Sequence, residues 1–269
     1  MLASLAGDPP AHRDDLAVNH LQTLWNQAGG LPYHLAAWRH RQALWTPYAL
    51  AVAGFLADWH PRERHLVVVG PSAGWNLPPG FLRQFTQVTA IEPDPLAAWL
   101  LQRRNPGARI TVCRDDYFTP EHAQGWTANL VRLFADFPDA ALLFSDFWGQ
   151  MIGLHPAAVA RETADGVVES WLYLRYKQTL RELLAGRTWA STHDRLVAHA
   201  PVAFQQHDLA NERPAEALAV LAWPDAPHLA RDPLTAGIGD PALPRRLLVW
   251  QRLPGTWHLM EAVCQSRLR

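Results

Sequence analysis

The sequence predicts a mixed α/β protein with a mostly parallel sheet, and three observations carry this prediction. Between residues 65 and 200, short apolar runs rich in β-branched residues alternate with segments of helical periodicity. This alternation favours parallel strands joined by right-handed helical crossovers. A turn of small residues, 70–74, separates the first apolar run from the helical segment that follows it. Two later strand-like runs are joined by Pro254-Gly255, which predicts an antiparallel terminal hairpin.

The composition argues against a nucleic-acid-binding, membrane-spanning or disulfide-rich protein. The chain has 269 residues, enough for one large α/β core, and its net charge of −1 gives no electrostatic reason to expect nucleic acid or an anionic membrane. The two cysteines, Cys113 and Cys264, form neither a disulfide framework nor a metal cluster. No basic and apolar leader opens the sequence, and the most apolar run, 49–57, is too short for a bilayer. We therefore expect a cytoplasmic protein without a metal, nucleic-acid or membrane partner.

Residues 1–60 are predicted to form a helical N-terminal extension ahead of the first strand. Helical spacing runs over 14–27 and again over 31–59, with breaks expected at Pro32 and Pro47. The pattern leaves three roles open. The helices pack on the sheet, cover a site, or bind a protein partner or a second copy of the chain.

Residues 61–269 are predicted to form the α/β domain. We expect helices near 79–85, from Asp94-Pro95 to Asn105-Pro106, from Thr119-Pro120 onward and over 167–184. Residues 201–245 contain seven prolines and little periodicity beyond a helix at 214–221, which indicates an irregular insert near an open sheet edge. The predicted strands are 66–69, 88–91, 109–113, 141–144, 188–191, 247–253 and 256–265.

The turn after the first strand and the end of the second strand together indicate a nucleotide-type site. The small residues from Gly70 to Gly74 expose backbone amides at the carboxyl end of the first strand. Glu92 lies at the tip of the second strand, just before Pro93, where a carboxylate binds two ribose hydroxyls in nucleotide folds. Asp146 and Trp148 follow the fourth strand, where open α/β sheets place their chemistry.

Four segments carry a family resemblance: VVVGPSAG at 67–74, AIEPDP at 90–95, CRDDYF at 113–118 and LLFSDFWG at 142–149. In this order the segments resemble class I S-adenosylmethionine-dependent methyltransferases. The resemblance covers about 65–200 and the terminal hairpin. It implies a Rossmann-like, mostly parallel seven-stranded sheet and S-adenosylmethionine as the cofactor.

The resemblance also implies roles for individual residues. Asp146 would lie beside the sulfonium or the acceptor. Independently of the resemblance, His193 lies at the predicted end of the fifth strand, where it either takes a proton from the acceptor or forms a surface pair with Asp194. The cofactor-binding residues implied are Gly70, Ser72 and Gly74 for the methionine part, Glu92 for the ribose, Asp115 and Asp116 for the adenine amino group, Tyr117 beside the adenine, and Asp146. The sequence thus predicts a methyltransferase acting on a small-molecule or peptide-like acceptor.

Three alternatives remain open. Val68 and Ser72 replace the acid and the central glycine of the family pattern, which is typical of a degenerate domain kept as a binding or assembly subunit. Gly70 to Gly74 also fits the G-x-S-x-G elbow of α/β-hydrolases, with Ser72 as nucleophile. A nicotinamide dinucleotide enzyme is the third alternative, although Ser72 and Trp75 occupy two of the three glycine positions of its fingerprint.

Overall fold

A computed structural model describes residues 30–115, 117, 124–148, 168–209, 213–230 and 238–266. The predicted helix at 14–27, the predicted helix start at 119–121 and Asp116 lie outside the described residues. Within the described ranges, no helix is long and apolar enough to cross a membrane.

The strands form one nine-stranded sheet with a parallel core. They are β1 (His65–Val69), β2 (Gln87–Ile91), β3 (Ile110–Cys113), β4 (Ala141–Ser145), β5 (Trp189–Ala198), β6 (Gln206–Leu209), β7 (His228–Ala230), β8 (Arg245–Leu253) and β9 (Thr256–Gln265). Their order is β3-β2-β1-β4-β5-β9-β8-β6, with β7 paired to β5 off this path. The first five strands pair in parallel, and β9, β8, β7 and β6 are antiparallel to their neighbours. The predicted parallel core and terminal hairpin are confirmed.

The predicted number of seven strands is wrong, because the segment predicted as an irregular insert supplies β6 and β7. Each is four residues or fewer, and β6 reads Gln-His-Asp-Leu, too short and polar to show strand alternation. These two strands form because β6 pairs with β8 and β7 pairs with β5, and not because of their own hydrophobic pattern. The fifth strand also continues to Ala198, beyond the predicted end at 191, because its second half pairs with β9.

Six α-helices are described. They are α1 (Leu31–His40), α2 (Thr46–Ala57), α3 (Pro95–Arg104), α4 (Gln124–Asp136), α5 (Val168–Leu184) and α6 (Ala215–Ala222). A 3-10 helix, Phe81–Gln84, stands where a short helix was expected. Asp94 caps α3 as predicted, since its Oδ1 accepts the Leu96 N–H at 2.8 Å.

The helical run from α1 to α2 does not break at Pro47, contrary to the prediction. A π-helical turn, Arg41–Trp45, joins the two helices, and the Thr46 hydroxyl donates to the Arg41 carbonyl at 2.8 Å. Proline has no N–H to donate, and the widened turn accommodates it without ending the helix.

Helices cover both faces of the sheet. On one face, α1 and α2 bury Tyr33, Trp45 and Tyr48 in a cluster with Val68 and Trp250. On the other face, α4 and α5 pack against the remaining side chains of β1 and β4. Residues 31–57 are therefore a layer of the core, as expected when an amphipathic helix must bury its apolar stripe against a sheet.

Candidate functional site

The strand order places a topological switch point between β1 and β4. From β1 the chain proceeds to β2 and β3 on one side, then returns to β4 and β5 on the other. Open α/β sheets bind ligands in the crevice outside the carboxyl ends of the strands at such a point. The loop after β1, the tip of β2 and the turn after β4 therefore define the candidate site.

The loop after β1 depends on left-handed backbone. Gly70, Ser72 and Gly74 have φ of 62°, 49° and 65°. A Cβ on Gly70 would lie 2.6 Å from Phe147 Cδ2, so glycine is required there for space as well as for conformation. Ser72 adopts this conformation without being glycine, at a cost of about 1 kcal/mol.

Glu92 lies at the tip of β2, where the sequence predicted it, and only 6% of it is exposed. Its Oε1 accepts the Asp94 N–H at 3.1 Å, and the Ser72 N–H also favours the ionised form of the carboxyl. Burial raises the pKa of Glu92 to about 8, although the two backbone donors act in the opposite direction. A carboxylate offers about four acceptor positions, so two backbone donors leave room for two hydroxyl donors from a ligand.

Asp146 follows β4 and has a left-handed φ of 52°, a strained conformation that clusters at functional sites. Its Oδ1 accepts from the Tyr48 hydroxyl at 2.6 Å and from the Thr192 hydroxyl at 2.7 Å. Its Oδ2 accepts from Asn76 Nδ2 at 2.8 Å. Burial raises the pKa of Asp146, while these three donors act to lower it. The carboxyl is thus fixed from three separate parts of the fold.

The N-terminal helices pack on the sheet and also contribute side chains to this candidate site. Besides Tyr48, α1 contributes His34, whose Nδ1 accepts from Trp75 Nε1 at 3.1 Å. His34 Nε2 lies 3.6 Å from Asp94 Oδ2. Burial and the nearby Asp146 raise the pKa of Tyr33. Residues 33–48 therefore cover the carboxyl ends of β1 and β4.

Four buried polar atoms around this end of the sheet have no hydrogen-bond partner within the described residues. They are His34 Nε2, Ser72 Oγ, Asn76 Oδ1 and Asp94 Oδ2. Native proteins leave few such atoms, and each calls for an explanation. His34 Nε2 and Asp94 Oδ2 face one another at 3.6 Å, whereas Ser72 Oγ and Asn76 Oδ1 remain open to a polar ligand.

The sequence did not identify Tyr48, Asn76, Thr192 or His34 as site residues. Tyr48 and His34 lie within the buried stripe of the N-terminal helices, where a polar side chain is itself a weak signal. Asn76 lies in a turn after the glycine-rich loop, and Thr192 lies inside a strand. Nothing in the sequence pattern pairs these residues with Asp146.

Of the three residues predicted to lie around the adenine, the structure describes Asp115 and Tyr117. Asp115 is exposed after β3, and Asp116 lies outside the described residues. Tyr117 is buried, and its hydroxyl donates to Asp136 Oδ2 at 2.7 Å while Arg132 lies over its ring. The structure thus places Tyr117 against α4.

His193 was predicted at a strand end beside the acceptor, and the position at a strand end is wrong. The strand β5 continues to Ala198, and the side chains of Thr192 and His193 point to opposite faces. His193 is fully buried, with Nδ1 3.0 Å from Ser191 Oγ and Nε2 3.5 Å from Glu261 Oε1. The structure therefore does not bring His193 and Asp146 together.

Glu261 joins His193 to two buried arginines in one ionic cluster. Arg195 and Arg245 both donate to the Glu261 carboxylate. Burial alone would raise the pKa of Glu261, but His193 and the two arginines lower it to about 2. This cluster lies on the face of β5 opposite Asp146 and holds β5, β8 and β9 together.

The described residues give Ser72 no catalytic base. Its Oγ has no hydrogen-bond partner there, and the next helical turn begins only at Phe81, whereas a nucleophile elbow leads directly into a helix. The described residues also contain no group of three His, Cys, Asp or Glu side chains placed to hold a metal ion.

The fold and the site thus define an α/β protein with a cluster of buried polar side chains at the switch point of its sheet. No protein-family model matches the chain, and no curated protein does. Among solved structures, the chain is similar to a SAM-dependent methyltransferase from Anabaena variabilis ATCC 29413, with 14% identity over 90% of this chain and 95% of that one. The TM-score is 0.37, and a likeness at this level carries no argument for fold or function.

Proposed function

We propose that the chain is a methyltransferase that binds S-adenosylmethionine at the switch point and acts on a small-molecule or peptide-like acceptor. The observation that carries this proposal is Glu92, a buried carboxyl at the tip of β2 with two backbone donors and room for two more. A ribose presents two adjacent hydroxyl donors that fit this capacity.

The polar atoms without partners support the same assignment. Asn76 Oδ1 accepts hydrogen bonds only, as the ammonium of the methionine part requires, and this acceptor stands in for the acid absent at Val68. Ser72 Oγ can donate to the methionine carboxylate. Asp115, exposed after β3, would lie at the adenine end of the same edge.

The cofactor supplies an activated methyl group. The protein aligns the two substrates, excludes water and provides a base for the proton that the acceptor loses. Asp146 is the residue we assign to that proton, because burial raises its pKa and makes it a stronger base than an exposed carboxylate. Tyr48, Asn76 and Thr192 fix its position. His193 is not assigned this role, since its imidazole lies in the Glu261 cluster.

Calorimetric titration with S-adenosylmethionine, S-adenosylhomocysteine and NAD⁺ tests the proposal, with thermal unfolding as a second readout. A ligand at about 100 times its dissociation constant adds about 2.7 kcal/mol of stability. We expect both sulfur nucleosides to bind and NAD⁺ not to bind. Binding of NAD⁺ alone would replace the methyltransferase with a dinucleotide enzyme.

The variant Glu92→Gln tests the ribose contact. Loss of charge-assisted hydrogen bonds worth about 1.5–3 kcal/mol weakens cofactor binding by about 10- to 150-fold. Glu216→Gln is the matched control, because Glu216 is an exposed carboxylate in the first turn of α6. Equal affinity of wild type and Glu92→Gln would refute the assignment of Glu92.

Proton release gives an independent test of Glu92. Its pKa of about 8 leaves the free carboxyl mostly protonated at pH 7, whereas two hydroxyl donors favour the ionised form. Binding therefore releases a proton, and affinity rises with pH until about pH 8. Titrations in two buffers of different ionisation enthalpy measure the released proton, which Glu92→Gln should abolish.

A second candidate, a binding or assembly subunit, is favoured by exposed apolar side chains on the N-terminal helices. Leu35, Trp38 and Leu50 are 56%, 71% and 67% exposed, and the first two lie one turn apart on α1. We propose a second copy of the chain as the partner. Light scattering after size exclusion should show a dimer for wild type and a monomer for Trp38→Glu, and a wild-type monomer would end this candidate.

A further inference from the structure

Arg104, the last residue of α3, lies against the glycine-rich loop. Its Nε donates to the Ala73 carbonyl at 3.1 Å, and its Cζ lies 4.0 Å from the centre of the Trp75 ring. Stacking uses the flat face of a guanidinium and leaves its edge available for a forked contact with an anion. Within the described residues, neither Nη atom of Arg104 has a hydrogen-bond or ion-pair partner.

The stacked pair continues into a row of aromatic rings that ends at a second arginine. The ring centres of Trp75 and His34 are 6.4 Å apart, and those of His34 and Tyr33 are 5.7 Å apart. Arg252 Cζ lies 5.4 Å from the centre of the Tyr33 ring. We call Arg104, Trp75, His34, Tyr33 and Arg252 the arginine–aromatic strip; it crosses from α3 over α1 to β8.

The strip borders the candidate site and carries positive charge. Burial and then the neighbouring Arg41 lower the pKa of Arg104, which places two guanidinium groups close to one another. Within the described residues, neither Arg104 nor Arg41 has an ion-pair partner, whereas the Asp94 carboxylate lies 3.6 Å from His34 in the middle of the strip, so the positive charge is concentrated at the Arg104 end. Glu92, with a pKa of about 8, does little to offset this charge at neutral pH. A positive patch at the edge of a partly buried site attracts anions.

We propose that the arginine–aromatic strip binds an anionic group of the methyl acceptor, a carboxylate or a phosphate, with Arg104 as its main contact. The assignment of the anion to the methyl acceptor rests on the proposed function, whereas the anion site itself does not. If Arg104 had only a structural role, the bond from its Nε to the Ala73 carbonyl would be sufficient, and anions would not bind preferentially at this residue.

The probes are phenyl phosphate, benzoate and inorganic phosphate, with benzyl alcohol as the neutral analogue, titrated calorimetrically at low ionic strength. We expect the anions to bind and benzyl alcohol not to bind. A preference for phenyl phosphate over benzoate identifies a phosphate acceptor, and the reverse identifies a carboxylate. Failure of all three anions to bind at 10 mM or about that concentration would overturn the proposal.

Three variants locate the anion. Arg104→Met should weaken phenyl phosphate binding at least about tenfold, as expected for a forked charge-assisted contact. Arg41→Met, an exposed substitution, should weaken it about threefold. The matched control is Arg103→Met. Arg103 directly precedes Arg104 on the same helix, and its guanidinium also lies over a tryptophan ring, that of Trp99. An equal loss in Arg103→Met would show non-specific attraction and overturn the proposal.

Titrations with S-adenosylhomocysteine on the same proteins separate this inference from the proposed function. We expect phenyl phosphate and the nucleoside to bind wild type without competing, and Arg104→Met to lose more affinity for phenyl phosphate than for the nucleoside. Competition would show that the strip belongs to the cofactor site and would overturn the acceptor role. If the nucleoside does not bind while Arg104 still governs anion binding, the anion site stands and the methyltransferase proposal fails.

Discussion

The raised pKa of Glu92 predicts a specific pH dependence of stability. The carboxyl has a pKa of about 8 in the folded chain and an ordinary value of 4.5. Between these values the folded state binds more protons than the unfolded state, so the contribution of Glu92 to stability is full below pH 4.5 and is lost as pH rises through 8. Glu92→Gln resembles the protonated carboxyl at every pH and does not follow this loss.

The magnitude follows from the shift. At about 1.36 kcal/mol per pKa unit, the upper bound for the loss is about 5 kcal/mol, and relaxation around the charge reduces it to about 2–4 kcal/mol. Between pH 5 and pH 8.5, wild type should therefore lose about 2–4 kcal/mol of unfolding free energy relative to Glu92→Gln.

Urea unfolding of both proteins at pH 5, 6.5, 7.5 and 8.5 measures this difference. The absolute stability of the variant does not matter, because the test is the change of the difference with pH. Parallel stability curves across this range would show that Glu92 ionises normally in the fold and would refute the reasoning from its burial.

Two further substitutions test the backbone and the hydrogen bonds of the site by unfolding free energy. Gly70→Ala should destabilise the fold by about 2–4 kcal/mol, because a left-handed φ is combined with an approach of 2.6 Å between the added Cβ and Phe147. Gly186→Ala should cost about 1 kcal/mol, because φ there is 71° but an added Cβ would meet no atom of the described residues within 4 Å. Equal costs would contradict the predicted steric contact. Tyr48→Phe should cost about 1.5–3 kcal/mol through its lost bond to Asp146, against less than about 1 kcal/mol for Tyr33→Phe. A similar small cost for both would mean that the Tyr48 bond contributes little.

The parts of the fold that the sequence predicted well are those with local signals. The apolar run 66–69 became His65–Val69, the helical run 167–184 became Val168–Leu184, and the strand 256–265 was predicted with its observed ends. Each has strong periodicity or clear turn residues at its limits. The position of Glu92 at a strand tip was predicted for the same reason, since it is read from neighbouring residues.

The parts that were missed depend on partners far along the chain. Asp194 and Arg195 resemble the polar end of a strand, yet they continue β5 because His258 and Glu261 pair with them across β9. The contact from Tyr48 to Asp146 spans 98 positions, and that from Thr192 spans 46. No local pattern encodes such contacts.

The packing of the N-terminal helices constrains the order in which the chain can mature on the ribosome. Trp45 donates its indole N–H to the Arg252 carbonyl, 207 positions later, and its ring meets Trp250 edge-on. During synthesis, α1 and α2 are made before the strand that covers Trp45, and 207 positions separate Trp45 from Arg252. Such long-range contacts are costly to form and leave apolar surface exposed while they are awaited. Since Tyr48 reaches Asp146 from the same helical layer, we expect a nascent chain to complete the candidate site only after β8 has been made.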